Sequence, residues 1–590
     1  MKRIKTFIVA VMLGGFLVSS TSAAVLSLGD PGQTWAVPND AARGEHIQMF
    51  LDTNPGENFS YLMRSDVPQA TSDNRDLVED PTCVSAMDSR CVGKNLSFRA
   101  VIPFCTSDAD VNCVSDFGTI DSSGIKTSAS FSRYFPLKAQ NQFVGDSALH
   151  LPSGYPGSIF TLPSATHDGG NSYYVAATLQ GNGNSNTGFN SPWSFQARVY
   201  PIQLQPDQGS GGDPAHLADA GYSLNNRGRN DGTSYWGAAG PGYNGKQFCV
   251  ANSVHESLCA ARFAFPADTR FFLKVRLQQS LGGWMHGRIA NPDISITTVN
   301  GNTDLEITAN PVAVPAVYKM YNYPDMPAEL KAMYRVETGG YVNDPYTGNP
   351  GGRTAGSTDP LNRNVIISSE AWASLGMEQL KLWLPYLNDQ ATALLSYWSV
   401  RSLSSGEKYG ANRCFNDTSK LTGIVTTNAT QYSAGPPAFD KSTGVLNYTV
   451  ASPHYTTQRN VFKGTYDLLM RSDVARCVYG FSNAPVKAEI SVTSADGVAQ
   501  TVSTALSESN GWLHLSANGF EFSSPTITAI LHQDLPVVVV PTPEPSTPAD
   551  PVASTVKPVA KKITITCVKG KSLRKVTSIK PTCPKGYRRK

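Results

Sequence analysis

Short runs in which β-branched or aromatic residues alternate with polar ones, each closed by Gly, Asn, Asp or Pro, recur along most of this 590-residue chain. Such runs bury one face of a pleated strand and predict antiparallel sheet. They cover residues 95–102, 172–179, 194–204, 271–277, 294–299 and 304–308. Two turns are marked by dipeptides that tolerate the positive φ of a tight hairpin, Asn300–Gly301 and Asp496–Gly497. From 425 to 531 the spacing of strand-like segments predicts a β-sandwich with Greek-key character. The helical exception is 368–398. There Ser368 or Ser369 caps a pattern of Trp372, Leu375, Met377, Leu380, Trp383 and Leu384 that Pro385 stops, and a second short helix starts at Asp389. This aromatic stripe reads as core packing rather than as a ligand cluster.

The chain is too long for one core, and Gly-, Asn- and Pro-rich loops at 205–214 and 339–364 mark divisions. The fold class is mainly β: several antiparallel β-sandwich domains in series, with a short helical insertion, a Pro-rich linker and a small disulfide-closed basic hairpin. The divisions are a leader at 1–23, a β-rich domain at 24–210, a sandwich-like domain at 211–338 and a loop-and-helix connector at 339–424. An Ig-like sandwich at 425–535, the linker at 536–560 and the hairpin at 561–590 complete the chain. LMRSDV occurs twice, at 62–67 and 469–474, in unrelated surroundings. A shared strand-and-turn solution explains the echo better than duplication.

Lys2, Arg3 and Lys5 precede an apolar run at 7–18 and the small residues Thr21, Ser22, Ala23 and Ala24. This is the layout of a secretory signal peptide, and the run is about half of the roughly 20 residues a bilayer span needs. No other segment is apolar for long enough, so the mature chain is expected to be extracellular or at the cell surface, without a transmembrane segment. The ten cysteines agree. Cys83 and Cys91, Cys105 and Cys113, Cys249 and Cys259, and Cys567 and Cys583 are near neighbours, leaving Cys414 for Cys477. None has zinc or redox spacing, so all ten are assigned to disulfides. Among the first four, three connectivities remain open.

The body carries little recognisable chemistry. His255 and Glu256 begin like a zinc-protease helix, but Cys259 stands where the second His belongs. Neither a nucleophile elbow nor a phosphate-binding loop occurs. His167–Asp168 before Gly169–Gly170 is the most catalytic-looking spot by residue type, yet it reads more simply as a turn. Asp108, Asp110 and Asn112 have the spacing of a calcium loop, but Cys113 replaces the required Gly. Glycosidase carboxylates come from distant strands and leave no local signature. Loop aromatics Trp193, Tyr222, Tyr235, Trp236, Tyr243 and Trp284 suit sugar stacking, but core packing claims the larger share. No catalytic residue, metal site or cofactor is assigned.

The carboxyl terminus differs from everything before it. Residues 561–590 hold eleven Lys/Arg and no acid. Taking these and the three in the leader from the 49 basic residues leaves 35 against 46 acids, so residues 24–560 sum to −11. Alternation on both sides of Gly570 predicts a hairpin of 563–568 against 573–579, stapled by Cys567 and Cys583 because so small a unit lacks a core. Lys569, Lys571, Arg574, Lys575, Lys580, Lys585, Arg588, Arg589 and Lys590 then form a polyanion-binding surface. Its partners are an anionic cell-envelope polymer or lipid head groups, with a glycan as another ligand and no specific nucleic acid. The rival reading is neutralisation of the protein's own acidic body. Seven prolines from Pro536 to Pro558 make the linker an extended spacer, at about 3.1 Å per residue.

This tail resembles a C-terminal segment of uncharacterised secreted and surface proteins of high-GC Gram-positive bacteria, ITCVKGK followed by a basic stretch and P-x-C-P-x-G-Y. The matching residues are 565–571, 574–576 and 581–590; residues 476–485 and 491–515 are similar to other parts of such proteins. The resemblance implies export and surface association and supplies no catalytic residues. The leading functional reading is an envelope-associated β-sandwich protein that binds or scaffolds. A secreted carbohydrate-binding or carbohydrate-active protein, and a self-assembling coat or fibre, are the alternatives.

Overall fold

The computed structural model describes residues 59–66, 82–137, 142–206, 249–253, 256–322, 325–334, 353–356, 363–368, 371, 374–408, 411–433 and 435–480. It also describes most of 486–533, the short strands 27–28 and 45–50, and 563–590 apart from 571. The chain divides into two compact units, Met1–Asp534 and Leu535–Lys590. The leader and the whole Pro-rich linker lie outside the described residues.

The larger unit is organised around one strand, Ala393–Ser402. Its first half pairs with Val312–Asn322, and its second half pairs with Ser194–Pro206 and with Gly283–Arg288. Its sequence ALLSYWSVRS is buried over nearly its whole length, so apolar residues run on instead of alternating. That continuity is why a helix was expected from Asp389. The chain instead leaves the helix Ser374–Trp383 through a 3-10 turn, Leu384–Leu387. Asn388 and Asp389 both take φ of 53°, and the Asp389 amide donates to the Leu384 carbonyl at 3.0 Å, which ends helical geometry. Ser368 closes the strand Arg363–Ser368 rather than capping the helix. Leu380 and Trp383 pack on Val317, Met326 and Leu330, the core role expected of the stripe.

Two further sheets flank this network. A five-stranded sheet runs Ala290–Val299, Asn302–Asn310, Arg270–Leu277, Cys113–Ile120, Lys126–Ser128. It buries Phe117, Phe271, Leu273, Val275 and Ile307 with Phe98, Phe160, Tyr173 and Val175 of the network. The second sheet centres on Val445–Ala451, Thr526–Gln533 and Val486–Thr493. It faces Leu421–Thr427, Lys463–Arg471 and Trp512–Glu521, with Val425, Tyr448, Val450, Tyr466, Leu468, Leu515, Ile527 and Ala529 between them. Strands of residues 425–531 thus lie in two facing layers, and Gly283–Arg288 joins one of them by pairing in parallel with Leu421–Thr427.

Strand pairs bridge the divisions expected after residues 210, 338 and 424. Cys113–Ile120 pairs with Arg270–Leu277, Ser194–Pro206 with Ala393–Ser402, and Gly283–Arg288 with Leu421–Thr427. Local turn chemistry was more transparent. Asn300 and Gly301 have φ of 51° and 81°, the two left-handed positions of a tight hairpin. Asn510 and Gly511 repeat this at 51° and 78° between Ser503–Ser509 and Trp512–Glu521. The Asp496–Gly497 turn lies outside the described residues, although the strands beside it pair antiparallel. Both LMRSDV copies end a strand with an arginine reaching over a serine to an aspartate, Arg64 to Asp66 at 2.9 Å and Arg471 to Asp473 at 3.1 Å.

Neighbouring cysteines pair: Cys83–Cys91, Cys105–Cys113, Cys414–Cys477 and Cys567–Cys583, with Cα separations from 5.2 to 6.2 Å. Cys259 is also disulfide-bonded, and its strand Leu258–Arg262 pairs with Cys249–Ser253. Among the described residues no cysteine is free and no helix is long and apolar enough to cross a membrane. The disulfides and β-rich fold fit an extracellular protein.

Candidate polyanion-binding site

In the smaller unit, Ile563–Lys569 is the middle strand of three, paired antiparallel with Ser572–Ser578 and with Arg588–Arg589. Gly570, at φ 59°, makes the turn, and the Cys567–Cys583 disulfide closes the loop that follows. Among its described residues, only Ile565 and Cys567 are buried. With so little apolar burial, the disulfide and the ladder hydrogen bonds carry the fold. The third strand was not legible as one, since Arg588–Arg589 is two charged residues long and is recruited by the returning loop.

The sheet spaces the cations. Arg574 and Arg589 sit on either side of Cys567, and Lys575 lies opposite Thr566. With strands about 4.8 Å apart, two positions across the middle strand are separated by about 10 Å. That is close to the Debye length at physiological salt, so like charges across the strand are largely screened from each other, and both sides of the sheet carry cations, Arg574 and Arg589 on one and Lys575 and Arg588 on the other. Lys569, Arg574, Lys575, Lys580, Lys585, Arg588, Arg589 and Lys590 are exposed, and Lys571 lies outside the described residues. The tail has no Asp or Glu to neutralise them.

The body's polar candidates resolve into structural roles. His167 is buried, with Nδ1 accepting from the Gly169 amide at 3.1 Å and Nε2 bonded to the Ser172 carbonyl at 3.0 Å. Both ring nitrogens are therefore committed to the turn, and burial depresses the ring's pKa. Asp110 accepts from the amides and hydroxyls of Thr106 and Ser107, which holds its carboxyl down to about 2. Asn112 accepts from the Gln278 amide. These bonds hold the calcium-like loop by internal contacts, and no metal-ligand cluster occurs among the described residues. Glu256 pairs with Arg133 and caps the Leu137 amide, and His255 lies outside the described residues. Trp284 is core, Trp193 is exposed, and Tyr222, Tyr235, Trp236 and Tyr243 lie outside the described residues.

Two polar clusters had no local sequence signal, because their members come from separate strands. In the first, His286 stacks on Tyr432 at 3.8 Å with ring planes 3° apart. Arg401 makes a bidentate pair with buried Glu407 at 2.7 and 2.8 Å and donates to the Tyr432 hydroxyl at 2.9 Å. Arg288 lies over the same tyrosine and donates to the Thr427 and Ala429 carbonyls. Burial, with Arg288 and Arg401 close by, pushes the His286 pKa well below its usual range. In the second, the fully buried Asp467 accepts from His514 Nε2 at 2.9 Å, the Thr426 hydroxyl at 3.2 Å and the Asn291 amide at 3.0 Å. This carboxylate ties the strand Ala290–Val299 to the 421–521 sheet. Among the described residues no hydroxyl or thiol bonds the other nitrogen of His514. Both clusters cross-link sheets. Comparison with family models, curated proteins and solved structures returns no match.

Proposed function

We propose that this is an exported, envelope-associated β protein that acts by binding or scaffolding, held to anionic polymer by its cationic tail. The observation that carries the reading is the array of eight exposed Lys and Arg side chains on a disulfide-closed sheet containing no acid. A rigid array loses less entropy on binding than a flexible basic peptide, and it attracts polyanions in a salt-dependent way. The signal-peptide layout and the likeness of the tail to those of secreted surface proteins support the same placement, and the acid-rich body leaves the tail as the attachment element.

The test compares the intact chain with one ending at Pro558. Retention of the intact chain on cells, release by a high-salt wash and loss of retention on truncation are expected. Equal retention of the two proteins would remove the tail from attachment.

A further inference from the structure

The tail sheet has two unlike sides. Antiparallel partners share a face, so Thr564 with Thr577, Thr566 with Lys575, and Val568 with Leu573 lie together on one side. Arg588 joins them from the third strand, opposite Val568. The other side holds the buried Ile565 and Cys567. There the returning loop crosses, tied by the disulfide from Cys567 and by the contact of the Tyr587 hydroxyl with Ser572, whose partner is Lys569. One side is therefore covered and the other open.

The open side is amphipathic. Leu573 is 61% exposed in the row Leu573–Val568–Arg588, and Ile579, two residues on from Thr577, is 52% exposed at the far end of the hairpin. Two of the thirteen large apolar side chains exposed among the described residues thus fall on this open side, beside its cations. A hydrated polyanion would match the charges and leave these apolar groups in water. A phospholipid surface matches both, because head-group phosphates meet Lys575 and Arg588 while the boundary beneath them takes leucine and isoleucine. The aliphatic stems of the cations can lie along the same boundary.

We infer that the open face of the tail docks on an anionic phospholipid surface, with the Leu573–Val568–Arg588 row at the head-group boundary. This rests on the reading that the tail engages anionic surfaces and narrows it to lipid. The full mature chain, a Leu573→Ser/Ile579→Ser variant and a Lys575→Ser/Arg588→Ser variant are titrated with two kinds of partner. One is vesicles of phosphatidylcholine with or without phosphatidylglycerol, and the other is soluble polyphosphate.

The native chain is expected to bind only the vesicles containing phosphatidylglycerol. The apolar variant should lose vesicle affinity about tenfold or more, the size set by withdrawing two partly buried side chains, while binding polyphosphate as the native chain does. That retained binding also shows its tail to be folded. The charge variant should weaken on both partners. Vesicle affinity unchanged in the apolar variant, or native binding to polyphosphate without binding to vesicles, overturns the lipid inference and leaves the polyanion reading standing. Native binding to neither partner overturns both.

Discussion

His286 makes the stability of the body depend on pH in a calculable direction. Its ring is 3% exposed, lies flat against Tyr432, has no hydrogen-bond partner at Nε2 and is close to Arg288 and Arg401. Burial first, and then the positive charges of Arg288 and Arg401, disfavour the imidazolium, so the folded pKa is depressed. Above the unfolded value of about 6.5 both states are neutral and the group contributes no pH dependence. As pH falls through that value the unfolded chain takes up a proton that the folded chain refuses, and stability is lost. The slope approaches about 1.4 kcal/mol per pH unit, which integrates to about 2 kcal/mol between pH 7.5 and 5. His286→Phe keeps the stack and removes both the titration and the unpartnered nitrogen. Urea unfolding of the two proteins across this range isolates the term, since His167, also depressed, is common to both. Their stability difference should swing by about 2 kcal/mol toward the variant at the acid end. Parallel pH profiles would refute the reasoning.

Two further predictions concern cross-links. Opening the Cys414–Cys477 disulfide by paired serine substitution frees a 63-residue interval, whereas Cys83–Cys91 spans 8. The chain-entropy relation gives about 4 kcal/mol for the first and about 2.5 kcal/mol for the second, and the order of the urea midpoints checks it. Asp467→Asn leaves three donors facing a neutral amide and is expected to cost about 2–3 kcal/mol. A midpoint within error of the native protein would show that this carboxylate does not hold the two sheets together.

Strands 95–102, 172–179, 194–204 and 271–277, the Asn300–Gly301 turn and the Cys567–Cys583 hairpin were readable because alternation, turn chemistry and loop length act over a few residues. The hub Ala393–Ser402 was misread as a helix start after Asp389 for the opposite reason. A strand covered on both faces loses its alternation and locally looks like any buried apolar run. The pairing of the first four cysteines likewise stayed open until the backbone brought neighbours within bonding distance.

The basic, acid-free tail, its cysteine staple and the segregation of charge from the body are properties of composition and spacing, so the amino-acid order alone determined them. Tertiary structure decided which strands pair across hundreds of residues, how His286, Arg401, Glu407 and Tyr432 meet, and that Leu573 and Arg588 share one open face. These depend on register and on contacts between distant segments. Turn and strand preferences, acting locally, carry no record of them.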